Sequence, residues 1–414
     1  MPLLEQTAHY RNALLEIYQA ALKRVEGRRA VSSWLRHNPS PDRLRVIAIG
    51  KAAQSMAWGA YEVLGDKIDQ ALIISKHGHL DYAWCQQHGW AAHESAHPIP
   101  DESSLEAGQK LLQFIADDTE LPLLFLISGG ASSLVEVTID GVGLDDLARV
   151  NRWLLGSGLD ILQMNSVRKA LSQIKGGGLL SYLRQPEVVG LAISDVPGDD
   201  PAAIGSGLLI PDEGLMERLR ALALPPWLGE KLQRVERQWV AAPASQPKLE
   251  IVANLQMARK AAAEYAASLG YRVSLRDEFL SGDAADTGKA LAQALLHGPP
   301  GIVIWGGETT VDLPPDPGQG GRNQHLALAA AQELAGISGC YLLAAGTDGS
   351  DGPTQDAGAL VDGETIARAA LHGETPERSL AHADSGCLLE VSGDLIATGP
   401  TGTNVMDLVI GLRV

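Results

Sequence analysis

Residues 121–137 read LPLLFLISGGASSLVEV. The run is apolar through Ile127 and breaks at Ser128-Gly129-Gly130. An unbroken apolar stretch without alternation suits a strand buried on both faces, as in a parallel sheet covered by helices. A glycine turn at its carboxyl end, followed by a helix start, is one way of holding an anion on backbone amides. This stretch carries no lysine, so any positive charge must come from elsewhere.

The same grammar recurs on either side. RLRVIAIG (43–50), QALIIS (70–75) and EVVGLAIS (187–194) read as further strands of one sheet. KAAQSMAWGAYEVL (51–64) places Ala53, Met56, Ala57, Ala60 and Leu64 on one helical face. Residues 3–25 form an amphipathic helix pattern. Later strands are expected at KLEIVA (248–253), YRVSLR (271–276), GIVIWGG (301–307), CYLLAAG (340–346), LEVSG (389–393) and VMDLVIGL (405–412). A helix over 255–269 is expected to close at Gly270. Pro, Ala and Ser without periodicity in VAAPASQPK (240–248) mark a boundary within 225–248. The expectation is two α/β domains. Residues 1–240 form an N-terminal Rossmann-like domain with a doubly wound parallel sheet, and residues 241–414 a C-terminal α/β domain.

Bulk composition narrows the function. The 414 residues exceed one ordinary domain, and 45% are hydrophobic, enough for a core in each half. The formal net charge of −17 argues against nucleic acid and against an anionic membrane surface as partners. Cys85, Cys340 and Cys387 are too few and too scattered for a disulfide framework or a zinc motif. No signal-peptide pattern opens the chain, and no apolar run approaches the roughly 18 residues a membrane span needs. A cytoplasmic protein with reduced thiols, monomeric or homodimeric, is expected.

Six strand-end loops carry Gly, Ser, Thr and Asp: GKAA (50–53), SGGASS (128–133), SDVPGDDP (194–201), GGETT (306–310), GTDGSDG (346–352) and TGPTGTN (398–404). One glycine turn is ordinary turn chemistry. Six of them, carrying acids and bases, point to one ligand site, because loops at the carboxyl ends of strands line the crevice of an open α/β sheet. The G-x-x-x-x-G-K-[ST] and G-x-G-x-x-G fingerprints are both absent, which disfavours a P-loop enzyme and a standard dinucleotide fold.

The missing charge has three candidate sources. Lys51 stands where a strand passes into a helix. Arg322 lies in PPDPGQGGRNQHLAL (314–328), a glycine-rich loop with a helix beginning near Asn323 or Gln324; its planar fork suits a phosphoryl group. Arg168 and Lys169 are expected in the first turn of a helix capped by Asn165 or Ser166, where an anion would relieve their clash with the helix dipole. Asp195, Asp199, Asp200, Asp348 and Asp351, with Glu308, are candidate ligands for Mg²⁺ or else turn formers. His77, His79 and His97 read as polar loop residues first and as ligands second.

The ordered blocks SGGASSL, NSVRKALSQIKGG, SDVPGDDP, GGETTV, GGRNQ, GTDGSDGPT and TGPTGTNVMDL resemble the class II glycerate 2-kinases, which join an N-terminal α/β domain to a C-terminal MOFRL domain. The resemblance spans Gly50 to Asp407. It implies phosphorylation of D-glycerate at the 2-hydroxyl by ATP with Mg²⁺, giving 2-phosphoglycerate, in a cleft between the domains. Some members carry the older name hydroxypyruvate reductase, so an NAD(P)H-dependent reductase is the alternative. The family's catalytic cations fall on Lys51 and Arg322. Asp195, or one of Asp348 and Asp351, is expected to hold Mg²⁺ or to orient the 2-hydroxyl. Substrate and phosphate contacts are expected from Ser128, Gly129, Gly130, Ala131, Ser132, Ser133, Asn165, Arg168, Lys169, Glu308, Thr347 and Asn404. The chain departs from the family at Gly178, where KGGR is usual, at His325, where Glu is usual, and in AHPIPD (96–101).

Overall fold

The computed structural model describes residues 3–118, 120–233 and 247–414. The chain forms two compact units: Gly27–Val252, and Met1–Glu26 together with Ala253–Val414. The first helix, expected in the N-terminal domain, therefore belongs with the C-terminal unit. The expected boundary at 240/241 lies outside the described residues.

The Gly27–Val252 unit is built on a six-stranded sheet. Its strands are β1 (Leu44–Ile49), β2 (Ile68–Lys76), β3 (Ala91–Ser95), β4 (Leu123–Ile127), β5 (Val188–Ile193) and β6 (Lys248–Ala253), in the order β3-β2-β1-β4-β5-β6. β3, β2, β1, β4 and β5 run parallel. Every residue of β1 and β4 is buried, as the unbroken apolar run of β4 requires; in β1 the burial includes Arg45, whose guanidinium donates to Asp118 O (3.0 Å) and lies over the Phe114 ring. Ile47, Ile49, Leu72, Ile74, Phe125 and Ile127 share a core with Leu111 and Ile115 of the helix Glu102–Asp117. That helix starts at Asp101, whose side chain accepts from the Ser103 amide, and its Leu111 and Ile115 lie four apart on the buried face.

One helix starts earlier than expected. The helix Ile161–Ala170 is capped by Asp160, which exchanges hydrogen bonds with Gln163 in a capping box. Arg168 and Lys169 consequently lie in its last turn, where cations favour the dipole, so no anion is needed to relieve them.

The second unit holds a mixed sheet of β7 (Val273–Leu280), β8 (Gly301–Gly307), β9 (Cys340–Gly346), β10 (Gly358–Asp362), β11 (Leu395–Ile396) and β12 (Asp407–Arg413), in the order β11-β10-β9-β12-β8-β7. β12 runs antiparallel to both β8 and β9. The expected strand at 389–393 is instead the end of the helix Ser385–Ser392, stopped by Gly393 in the left-handed conformation. The helix Arg322–Leu334 is buried almost throughout and packs against this sheet.

The N-terminal helix Leu3–Val25 docks through Leu14, Ile17, Tyr18, Ala21 and Val25, spaced as one helical stripe. Its Arg11 bonds Asp362 (2.5 Å) and Asp394 (2.8 Å), and Arg368 bonds the same two carboxylates. Two buried aspartates facing two arginines form a closed network that ties the chain's beginning to its end.

Candidate active site

Functional side chains gather at two places, one in each unit. In the Gly27–Val252 unit the place is the topological switch point, where β1 and β4 run side by side and their chain connections leave in opposite directions. The strand ends interlock through the backbone. Ser128 N–H donates to Ile49 O (2.9 Å), and Lys51 N–H donates to Gly129 O (2.9 Å). Ala52 N–H donates to the Ser128 hydroxyl (3.0 Å), and the Ser75 hydroxyl donates to Gly50 O (2.9 Å).

Burial separates the loop's expected contacts. Ser128 and Ala131 are fully buried, and Ser128 Oγ is engaged by Ala52, so both build the loop. Ser133 donates to Gly130 O (3.1 Å). Gly130 and Ser132 are the partly exposed members. Ser132 Oγ lies 2.6 Å from Ser206 Oγ. A methyl group on Gly130 would lie 3.0 Å from the His97 ring and 3.3 Å from Lys51 Cγ, so both side chains cross the face of this turn. Lys51 thus brings a positive charge to the face of this turn, and His97, read from sequence as a polar loop residue first and a ligand second, joins it. Asp195 follows β5, the neighbour of β4, and is half-buried.

The other basic candidates are engaged in structure. The Lys169 ammonium donates to Asp212 (2.8 Å) and to Ala202 O (2.9 Å), and Arg218 Nη2 donates to both oxygens of the same carboxylate. Burial works to raise the Asp212 pKa, but Lys169 and Arg218 outweigh it and hold the group below the usual range. Arg168 donates to Asn151 and Asn165 (both 3.1 Å), and burial lowers its pKa. Asn165 is therefore a partner of Arg168 rather than a cap. Lys175 pairs with Glu136, both nearly fully buried.

In the second unit the focus is Asp407, the first residue of β12. Because β12 runs antiparallel between β8 and β9, Asp407 stands beside their last residues, Gly307 and Gly346. Arg322, the first residue of its helix, donates from Nε to Asp407 Oδ2 (2.6 Å) and from Nη2 to Oδ1 (3.2 Å). Its Nη1 donates to Glu308 Oε1 (2.6 Å). Burial alone would lower the Arg322 pKa; Asp407 first, then Glu308 and Asp351, raise it beyond the ordinary arginine value. The guanidinium is a fixed, permanent charge.

Asp351 holds the start of the same helix. It is buried and accepts from Asn323 N (3.1 Å), Asn323 Nδ2 (3.2 Å) and Gln324 N (2.8 Å). Burial, with nearby Asp407, pushes its carboxyl up to about 7 against the pull of those amides and of Arg322. Gly321 passes so close that a Cβ there would lie 2.3 Å from Asp351 Cγ. Asp348 is half-buried and accepts from Ser350 N (3.0 Å). The Tyr18 hydroxyl donates to Gly346 O (2.6 Å), and burial followed by Asp348, Asp407 and Asp351 raises its pKa.

Thr347 is fully buried with its hydroxyl engaged by residues 405 and 406, while Asn404 is half-buried in the loop before them. His325 is buried with Nδ1 3.0 Å from Ser385 Oγ. Among the described residues, no group of three or more His, Cys, Asp or Glu side chains is disposed to hold a metal ion. Asp351, with both oxygens on amides, does not fit that role. Asp348 and Glu308 are partly exposed oxygen donors of the kind a hard cation takes.

Sequence reasoning missed Asp407 and Tyr18. The signal for Asp407 was a lone charge inside the apolar run VMDLVIGL, since a charge in a buried strand requires a partner. Nothing local marks Tyr18, whose role depends on chain ends meeting.

Comparison with known proteins agrees with this architecture. A family model described as a domain of unknown function, DUF4147, matches residues 13–232, and the MOFRL family model matches residues 301–407. A D-glycerate 2-kinase of Thermotoga maritima is 38% identical, covering 97% of each chain. A putative hydroxypyruvate reductase of Agrobacterium vitis is 35% identical over 88% of this chain and 98% of its own. The crystal structure of a glycerate kinase from Thermotoga maritima superposes with a TM-score of 0.83 at 36% identity, covering 98% of this chain and all of that one.

Proposed function

This chain belongs to the glycerate 2-kinase family with a C-terminal MOFRL domain, and we propose that it transfers the γ-phosphoryl group of ATP to the 2-hydroxyl of D-glycerate. The observation that carries the reading is the Arg322 fork, fixed at a helix start by the buried Asp407. Phosphoryl transfer asks the protein for position and for charge at the transferring group, and a preset guanidinium supplies both.

In this proposal each cluster has its own role. Lys51 and the turn at Gly129, Gly130 and Ser132 are our assignment for binding an anionic group, and Arg322 is our assignment for the transferring phosphoryl group. The O2–Pγ bond forms as the Pγ–O bond to ADP breaks, and the 2-hydroxyl proton passes to a carboxylate, for which Asp195 is our assignment. Magnesium would neutralise phosphate charge when it enters with ATP. Asp348 and Glu308 would hold it, since one or two carboxylates suffice when phosphates fill the other positions. We place the enzyme in the cytoplasm; no helix among the described residues is long and apolar enough to cross a membrane.

The relative named as a hydroxypyruvate reductase motivates a second reading, hydride transfer from NAD(P)H. Against it, β1 is followed by Gly50-Lys51-Ala52-Ala53 and not by the glycine fingerprint of a dinucleotide turn. A paired assay separates the two. D-glycerate with MgATP should release ADP and 2-phosphoglycerate, and hydroxypyruvate with NADH or NADPH should show no nucleotide oxidation. The reverse result would replace the kinase by the reductase.

A further inference from the structure

A short piece of strained backbone aims Asp407 at Arg322. Met406, immediately before it, has φ 69, in the left-handed region that side chains other than glycine rarely adopt. Thr347 holds it there. Thr347 N–H donates to Met406 O (3.0 Å), and the Thr347 hydroxyl donates to the same oxygen (2.7 Å). That hydroxyl also accepts from Val405 N–H (2.8 Å). Thr347 is itself fixed by its place after Gly346, whose register partner is Asp407 and whose carbonyl accepts from Tyr18.

We propose that Thr347 is a positioning residue. Its hydroxyl locks the turn at Val405 and Met406, so that Asp407 presents both carboxylate oxygens to Arg322 and the fork is set before substrate arrives. The inference rests on the reading that Arg322 acts on the transferring phosphoryl group. It accounts for a strained, buried residue that touches none of the catalytic groups. Only a group that donates and accepts together can do this: serine can replace threonine, and valine cannot. Without it, the buried Val405 amide loses its acceptor and Met406 relaxes to an extended backbone. Asp407 then turns away, leaving Arg322 held only by Glu308.

The test compares Thr347→Val with Thr347→Ser. One readout is steady-state kinetics with D-glycerate and MgATP. The other is the Arg322 Nε–H signal in a ¹H–¹⁵N spectrum, assigned by its loss in Arg322→Lys. Thr347→Val is expected to lower kcat about 100-fold, the cost of a misplaced catalytic group, with little change in either KM. Its Arg322 signal should shift or broaden. Thr347→Ser should restore both. An unchanged kcat, an unmoved signal, or equal losses in Ser and Val would overturn the proposal. Should Thr347→Val fail to fold, Met406→Ile carries the same two readouts, because a β-branched residue resists the left-handed conformation. If the wild-type protein makes no 2-phosphoglycerate, the kinase reading fails, and the spectra still decide the role of Thr347.

Discussion

A methyl group placed on Gly50 would lie 2.2 Å from the hydroxyl oxygen of Ser128 and 2.5 Å from its carbonyl oxygen. Gly50 also has φ 129, outside the range of ordinary side chains. The ends of β1 and β4 can interlock only because this position is bare. Gly50→Ala is expected to destabilise the Gly27–Val252 unit by at least the ~1–3 kcal/mol typical of overpacking. Thermal unfolding monitored by circular dichroism should show a lower midpoint, and an unchanged one would refute the close approach.

Asp407→Asn keeps the shape but removes the charge opposite Arg322. Losing one prearranged electrostatic partner typically costs about 100- to 1,000-fold in kcat. Turnover should fall by at least the lower figure. Arg322→Lys should fall comparably, because an ammonium group cannot fork onto Asp407 and Glu308 together. Initial-rate assays of ADP release check both.

Asp351 makes stability depend on pH in an unusual direction. Its folded pKa, about 7, lies above the unfolded carboxylate value of about 3.9. The folded state therefore binds the proton more tightly than the unfolded state. The stability this contributes is full below about pH 4 and lost as pH rises through about 7. Denaturant titrations of the wild type and Asp351→Asn should show the wild-type advantage shrinking over that window. A difference that stays constant with pH would contradict the raised value.

Lys175 and Glu136 are buried together, each side chain 4% exposed. Lys175→Met strands a buried carboxylate and should cost roughly 3–5 kcal/mol. Replacing both residues by apolar ones should cost less than the single change. A double-mutant cycle by urea unfolding measures the coupling.

Gly178 stands where the family resemblance leads one to expect arginine, and the structure shows why a side chain is not easily accommodated. A Cβ there would sit 2.1 Å from the carbonyl oxygen of Gln173. Gly178→Arg should therefore lower the unfolding midpoint, and Gly178→Ala should already do so. If both left it unchanged, the turn would have room for the missing cation.

What the sequence made legible follows from burial. β4 and β9 are buried throughout and apolar, so their runs announced them; β1 is buried throughout too and was announced by VIAI (46–49) in spite of the buried Arg45. β3 was not foreseen: its AAHES is polar, partly exposed and at the sheet edge, where packing demands little. LEVSG (389–393) carries the residues of a strand but forms a helix end, because Leu388, Leu389 and Ser392 turn inward at helical spacing and Gly393 supplies the cap. Lys51 and Arg322 stand at the element boundaries the sequence indicated, because glycine beside a change of pattern marks such a boundary locally. Asp351 was visible as an acid, yet its role as the cap of a helix 27 positions earlier was not. Such pairings depend on which strands become neighbours, and that is settled only by the fold.

The joining of Met1–Glu26 to Ala253–Val414 also bears on synthesis. The helix Leu3–Val25 is synthesised before the Gly27–Val252 unit, and its packing partners in Ala253–Val414 after it. At about 5–20 residues per second, it waits roughly 10 to 50 s for the first of them. The intervening unit can complete its own core in that time. Leu14, Ile17, Tyr18 and Ala21 meanwhile remain uncovered, a nascent apolar stripe for a chaperone to shield until those partners are made.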